Sequence, residues 1–372
     1  MSAGNAGQPG VERARGGRLR ARLLAAGGVL LLAVAAGCSG DGGESGDGVP
    51  VVTSKPSASA DCGPTDKLVP PCGAYWGMYV APGDPRVPVV QAIGSMESQL
   101  GRKLDVIFSY HDMSDGANGT FIREDEVELG RDRILLLSWE AKVWGTPERT
   151  LQWRDIAGGS MDALIDRQAQ RIKGYGKRVM LGFDGEMDRR KTSGTAAEYV
   201  AAYKHIHDRF EKLGVTNVVW VWAVTGFMEY KDTWKSLYPG HDYVDWISYD
   251  PYNFAGCRGA KWLDFQQTVK PTYDWFQANG FADKPIIIGE YSTEVDPKNP
   301  SAKADWFRGV PQALKTMPKI KALLQWNAVL DPESPGGCDF RLEGPGVVEA
   351  FAEAGRDPYV NQPLPDQAAG GS

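Results

Sequence analysis

Two glutamates stand at the ends of apolar runs. Val179-Met180-Leu181-Gly182-Phe183 leads into Asp184-Gly185-Glu186-Met187-Asp188, and Ile286-Ile287-Ile288-Gly289 leads into Glu290-Tyr291-Ser292. A facing pair of carboxylates suits a reaction in which one protonates a leaving oxygen while the other attacks or screens a cationic carbon, as glycosidic cleavage requires. The two must be tuned apart. A nucleophile stays ionised through hydrogen bonds and nearby cations, whereas an acid keeps its proton in a drier or more negative setting. Other run ends carry groups that suit a sugar: Trp139 and Trp326 as stacking platforms, Tyr252 as a hydroxyl donor, and His111, in Ser109-Tyr110-His111-Asp112, as a partner for a sugar hydroxyl.

The elements that must position these groups alternate along the chain. Short β-branched and aromatic runs at 75–80, 104–109, 134–139, 178–183, 217–223, 244–249, 285–290 and 322–326 predict eight strands. Between them lie amphipathic segments such as 162–175, with Leu164, Ile165, Ala169 and Ile172 on one face, and 196–213, with Tyr199, Val200, Tyr203, Ile206 and Phe210. Eight strands in about 260 residues predict an α/β fold, a single-domain (β/α)8 TIM barrel whose strands are covered on both faces. In that fold catalytic groups sit at the C-terminal ends of strands, which places Glu186 on the fourth strand and Glu290 on the seventh, across the barrel mouth from each other. An open doubly wound sheet is the alternative, but no Gly-rich phosphate loop follows the first strand, which favours the barrel; no cofactor is implied.

Lys and Arg number 41 against 47 Asp and Glu, for a formal charge of -6, and the globular part has no basic cluster beyond short runs such as Arg189-Arg190-Lys191. Nucleic acid is therefore not an expected partner. The first 37 residues read as an export signal: five arginines from Arg13 to Arg22, an apolar stretch too short to span a bilayer, and Ala35-Ala36-Gly37-Cys38, which resembles a bacterial lipobox acylated on Cys38. Plain cleavage and secretion is the alternative. Residues 38–60 form a flexible linker, 61–357 the barrel, and 358–372 a disordered Pro/Gly-rich tail. The expected location is the extracytoplasmic side of the cell membrane, held there by the lipid anchor alone, with the chain acting as a monomer. In that oxidising setting Cys62 is expected to pair with Cys72, and Cys257 with Cys338. With no Cys-x-x-Cys spacing and only 4 His, no metal site is expected.

The segments Gly182-Phe183-Asp184-Gly185-Glu186-Met187-Asp188, the helix with Tyr199, Tyr203 and His205-Ile206, Asn217-Val218-Val219-Trp220-Val221-Trp222, Tyr243-Val244-Asp245-Trp246-Ile247, Asp250-Pro251-Tyr252-Asn253 and Lys284-Pro285 through Gly289-Glu290-Tyr291 together resemble glycoside hydrolase family 26. The resemblance runs from about residue 74 to 329. It implies a retaining, endo-acting hydrolase of β-mannan or β-glucan type, with Glu186 as acid/base, Glu290 as nucleophile and Tyr252 as the hydroxyl that keeps Glu290 ionised. Two positions depart from the family pattern. Gly185 stands where members usually have His, and the Trp usually found shortly after the acid/base is missing from Met187-Asp188-Arg189-Arg190-Lys191. These departures point away from mannan in particular, and they raise a second reading: a lipid-anchored glycan-binding protein on a degenerate barrel.

Overall fold

The computed structural model describes residues 65–70, 72–332 and 337–365. The signal, Cys38, the linker and Cys62 lie outside them. Eight parallel strands close into a barrel: β1 Tyr75–Val80, β2 Val106–Asp112, β3 Ile134–Glu140, β4 Val179–Phe183, β5 Val218–Val224, β6 Trp246–Tyr249, β7 Ile286–Thr293 and β8 Ile320–Asn327. Each pairs with the next in sequence, and β8 pairs with both β7 and β1, which completes the closure.

Strand parity divides the core in two. Val106, Phe108, Ile134, Leu136, Met180, Val219, Val221, Trp246, Ile287, Ala322 and Leu324 fill the barrel interior. The alternate residues, among them Trp76, Ile107, Leu135, Leu137, Leu181, Trp222 and Leu323, pack outward against the helices. Both sets are buried, because a parallel sheet with helices on its outer face leaves no strand surface in water.

The helix Ala196–Lys212 shows how local sequence fixes the outer layer. Thr195 accepts from the Glu198 amide at 3.3 Å while the Glu198 carboxylate accepts from the Thr195 amide at 2.7 Å, a capping box that starts the helix where the apolar stripe begins. Two tyrosines of that stripe then reach the barrel, Tyr199 donating to the Phe183 carbonyl and Tyr203 to the Val221 carbonyl.

The expected tail begins too early. Residues 358–365 lie on the N-terminal end of the barrel: Val360 is fully buried, the Tyr359 carbonyl accepts from the Ala74 amide at 2.9 Å, and Leu364 packs with Leu68 against the interior cluster. Composition suggested a tail because Pro and Gly dominate there, but two apolar side chains suffice to plug a barrel end. At the opposite, C-terminal end, Cys257 and Cys338 form a disulfide with a Cα–Cα distance of 5.3 Å. Cys72 is also in disulfide form.

The Cys257–Cys338 bridge spans 81 residues of sequence. Loop closure on that scale restricts the unfolded chain by about 4 kcal/mol. Replacing both cysteines with serine is expected to lower unfolding stability by about that amount in guanidinium titration, and a loss under about 1 kcal/mol would contradict the assignment.

Candidate active site

Glu290 faces the barrel because β7 carries one extra residue. Ile288 pairs with Leu323 and Tyr291 with Gln325, so three steps along β7 match two along β8. Both Ile288 and Tyr291 point outward, Tyr291 against Trp306 and Phe265, which leaves Gly289 and Glu290 both facing in. Strict alternation from the inward Ile287 would have sent Glu290 into the helix layer. Two successive inward residues leave no room for the first to carry a side chain. A β-carbon on Gly289 would lie 2.5 Å from Ser248 Oγ and 2.7 Å from Asp250 Oδ1.

The carboxylate so presented is held by two phenols. Tyr252 donates to Glu290 Oε2 at 2.6 Å and Tyr110 donates to Oε1. Trp326, at the end of β8, donates its indole N–H to the Tyr110 hydroxyl at 3.0 Å and stacks on Tyr79 with centroids 5.8 Å apart. Tyr252 is itself backed by Phe340 at 4.6 Å. Burial and the neighbouring Glu186 carboxylate hold Glu290 at about 7 even against the two phenols, which donate to its ionised form. Asp250, beneath the bulge, accepts from the Glu290 amide. Its own burial and the charges of Glu290 and Glu186 hold it well above the usual carboxylate range.

Glu186 sits on a loop held in an unfavourable conformation. Asp184 and Glu186 have φ of 45° and 57°, a left-handed backbone that costs a non-glycine residue about 1–3 kcal/mol. Polar contacts fix it. Asp184 accepts from the Ala141 amide at 3.0 Å and the Trp153 indole at 2.6 Å, the Glu186 amide donates to the Ala223 carbonyl at 3.0 Å, and Asp188 accepts from the Thr225 hydroxyl and the Trp234 indole. Arg189 lies 3.4 Å from Glu186 Oε2. Burial raises Glu186 above the ordinary range, opposed by Arg189 and Arg190 and aided by Asp188 and Glu140. Gly185 has no left-handed φ, and a β-carbon there would make only ordinary contacts, 3.6 Å from Ala223 Cβ and 3.9 Å from Ser138 Oγ. Backbone geometry therefore does not require a glycine beside Glu186.

The structure thus brings Glu186, Glu290, Tyr252 and Trp326 together. His111 and Trp139 are elsewhere. Both have outward parity and no exposure: His111 Nε2 lies 2.7 Å from Glu126 Oε1 beside Arg123 and against the Phe121 ring, while Trp139 donates to the Asp112 carbonyl at 3.0 Å and packs on Phe121. They brace the helix layer rather than touch a sugar. Sequence reading missed Tyr79, Tyr110, Asp250, Glu140 and Phe340. Tyr110 was within reach, since it shares parity with Val106 and Phe108, the inward residues of β2.

Among the described residues, Cys257, Glu294 and Cys338 are close enough to suggest a metal site, but the two thiols are bonded to each other. A second group, His207, Asp208 and Glu211, lies on the helix Ala196–Lys212, with both carboxylates in water.

Residues 186–320, which include both Glu186 and Glu290, match the family model described as Glycosyl hydrolase family 26. Endoglucanase H of Acetivibrio thermocellus is 31% identical over 247 residues, 62% of this chain and 25% of that protein. The segment that carries both glutamates is thus similar to glycosyl hydrolase family 26. It spans about a quarter of the length of that curated relative. Family 26 structures share the barrel: the domain of an endo-β-mannanase/endo-β-glucanase from Prevotella bryantii aligns with a TM-score of 0.56 at 15% identity, over 79% of this chain and 92% of that one. A modular endo-β-1,4-mannanase from Cellulomonas fimi aligns at 0.55 and 16% identity, over 80% and 76%. The partial family match and the closed barrel agree with the resemblance carried by the motifs.

Removing the Tyr252 hydroxyl takes one donor from ionised Glu290, so the protonated form gains and ionisation moves to higher pH. Tyr252→Phe is expected to shift the acidic limb of kcat/KM upward by about one pH unit, the size of a lost charged hydrogen bond of about 1.5 kcal/mol. A limb that stays in place would separate Tyr252 from Glu290 ionisation.

Proposed function

We propose that this protein is a retaining, endo-acting glycoside hydrolase that cleaves β-linked polysaccharide of β-glucan or β-mannan type by double displacement. The observation that carries the reading is the half-buried Glu290, turned into the barrel by a bulge and held by two phenols, within electrostatic reach of Glu186. A binding protein has no use for such an arrangement.

Two neighbouring carboxylates in a buried site cannot both ionise freely, so the pair retains a proton near neutral pH. Tyr110 and Tyr252 favour charge on Glu290, and the mechanism we propose assigns the shared proton to Glu186. In the first step Glu186 gives that proton to the glycosidic oxygen as Glu290 attacks the anomeric carbon, forming a glycosyl ester and releasing the alcohol. In the second, Glu186 takes a proton from water, the water oxygen attacks the anomeric carbon, and the Glu290 ester bond breaks. Trp326 and Tyr79 supply an aromatic wall beside Glu290 for the sugar at the cleavage point. The endoglucanase relative and the glycine at 185, where the resemblance expects His, favour a β-glucan over mannan.

The chain is further proposed to be an exported lipoprotein acylated on Cys38. The Cys257–Cys338 disulfide supports an oxidising compartment.

Incubation with mixed-linkage glucan, carboxymethyl cellulose, glucomannan and xylan, read by reducing-sugar release, tests the activity. Wild type is expected to cleave at least one, with Glu290→Ala reducing the rate by at least 10⁴-fold on the order expected for a lost nucleophile and leaving the thermal melt in place. Binding to one of the four without cleavage by wild type would sink the reading.

A further inference from the structure

Arg190 does more than neutralise charge beside Glu186. Its guanidinium, mostly buried, touches three groups on two elements: Nε donates to the Gly185 carbonyl at 2.9 Å and lies 3.3 Å from Asp184 Oδ1, and Nη2 donates to Glu140 Oε1 at 2.7 Å. Gly185 is the peptide between the two left-handed residues, Asp184 and Glu186. The fork therefore grips the strained turn at its centre and ties it to the end of β3. Glu140 is fixed in its turn, since its second oxygen accepts from the Trp144 indole at 2.8 Å and the Trp144 amide is held by Asp112 Oδ2 at 2.8 Å. Only a planar, multiply donating cation can satisfy acceptors in this arrangement; a lysine ammonium offers one point of charge.

The charges around Glu186 come from four elements. Arg189, Arg190 and Asp188 lie on its own loop, Glu140 ends β3, Glu290 is on β7, and Asp250 follows β6. Arg190 is faced by Asp184, Glu140 and Glu186, and Glu140 by Arg190 and Lys142. We propose that Arg190 and Glu140 act as a positioning pair for proton transfer, fixing the Glu186 loop through the Gly185 carbonyl and setting, with opposite signs, the pH at which Glu186 gives up its proton. The proposal rests on reading Glu186 as the proton donor. Loss of the guanidinium removes a cation and raises the pH of ionisation. Loss of the Glu140 charge removes an anion and lowers it.

The test uses the full chain and its Arg190→Gln, Arg190→Lys and Glu140→Gln variants, assayed across pH on mixed-linkage glucan and on 2,4-dinitrophenyl β-cellobioside, whose leaving group needs no proton. For Arg190→Gln the expected result is a loss of about 100-fold in kcat/KM on the polysaccharide and under about tenfold on the aryl glycoside, the range of one proton transfer. The alkaline limb on the polysaccharide should move up in Arg190→Gln, down in Glu140→Gln, and stay near wild type in Arg190→Lys, which recovers part of the rate. Equal losses on both substrates, limbs that do not move, or limbs that move in the same direction would overturn the proposal. Should Arg190→Gln lose its cooperative melt, Glu140→Gln and Arg190→Lys decide by the same criteria. Glu186→Ala separates the two levels: rescue of its aryl glycoside hydrolysis by azide keeps Glu186 as the acid/base whatever Arg190 does, whereas absence of rescue, or a wild type inert on both substrates, removes the foundation of both.

Discussion

A single extra residue in β7 decides where the Glu290 carboxylate goes. With it, Gly289 and Glu290 both face the barrel; without it, the carboxylate would be buried among Tyr291's neighbours, Trp306 and Phe265, where an unpaired charge costs several kcal/mol. The rest of the mouth is arranged around that placement. Gly289 surrenders its side chain to Ser248 and Asp250, Tyr110 arrives from β2 and Tyr252 from beyond β6, and the Trp326 indole orients Tyr110. Burial and Glu186 raise Glu290 to about 7, and the two phenols work against that rise by donating to its ionised form.

The opposite wall solves a different problem. Glu186 sits on a left-handed turn kept in place by contacts from β3, β5 and the Trp153 and Trp234 indoles, which would hold a proton donor in one position. Strain of this kind persists only where the surroundings over-determine it. Gly185 is the exception in this tightly bonded turn, a position where a side chain would fit and none is present. That glycine, next to Glu186, distinguishes this mouth from the family pattern.

Much of the barrel could be read from the chain because strands covered on both faces are apolar throughout. The run 75–80 matches β1, and 162–175 matches its helix. That same uniformity hid which residues face inward. His111 and Trp139 end strands, as a sugar-binding residue should, yet parity turns both outward, and only the polar residues Ser138 and Glu140 on β3 signal the inward set. A bulge has no marker in Ile-Ile-Ile-Gly-Glu except the glycine itself. Tyr79, Asp250 and Phe340 reach the mouth through register and loop return, which one-dimensional spacing does not encode.

The most direct test of the central claim is to trap the intermediate with 2,4-dinitrophenyl 2-deoxy-2-fluoro-β-cellobioside, digest the inactivated protein and locate the sugar by mass spectrometry. The account expects one glycosyl group, esterified to Glu290. A label on Glu186 or Asp250, or inversion of anomeric configuration in the product of an active enzyme, would contradict it.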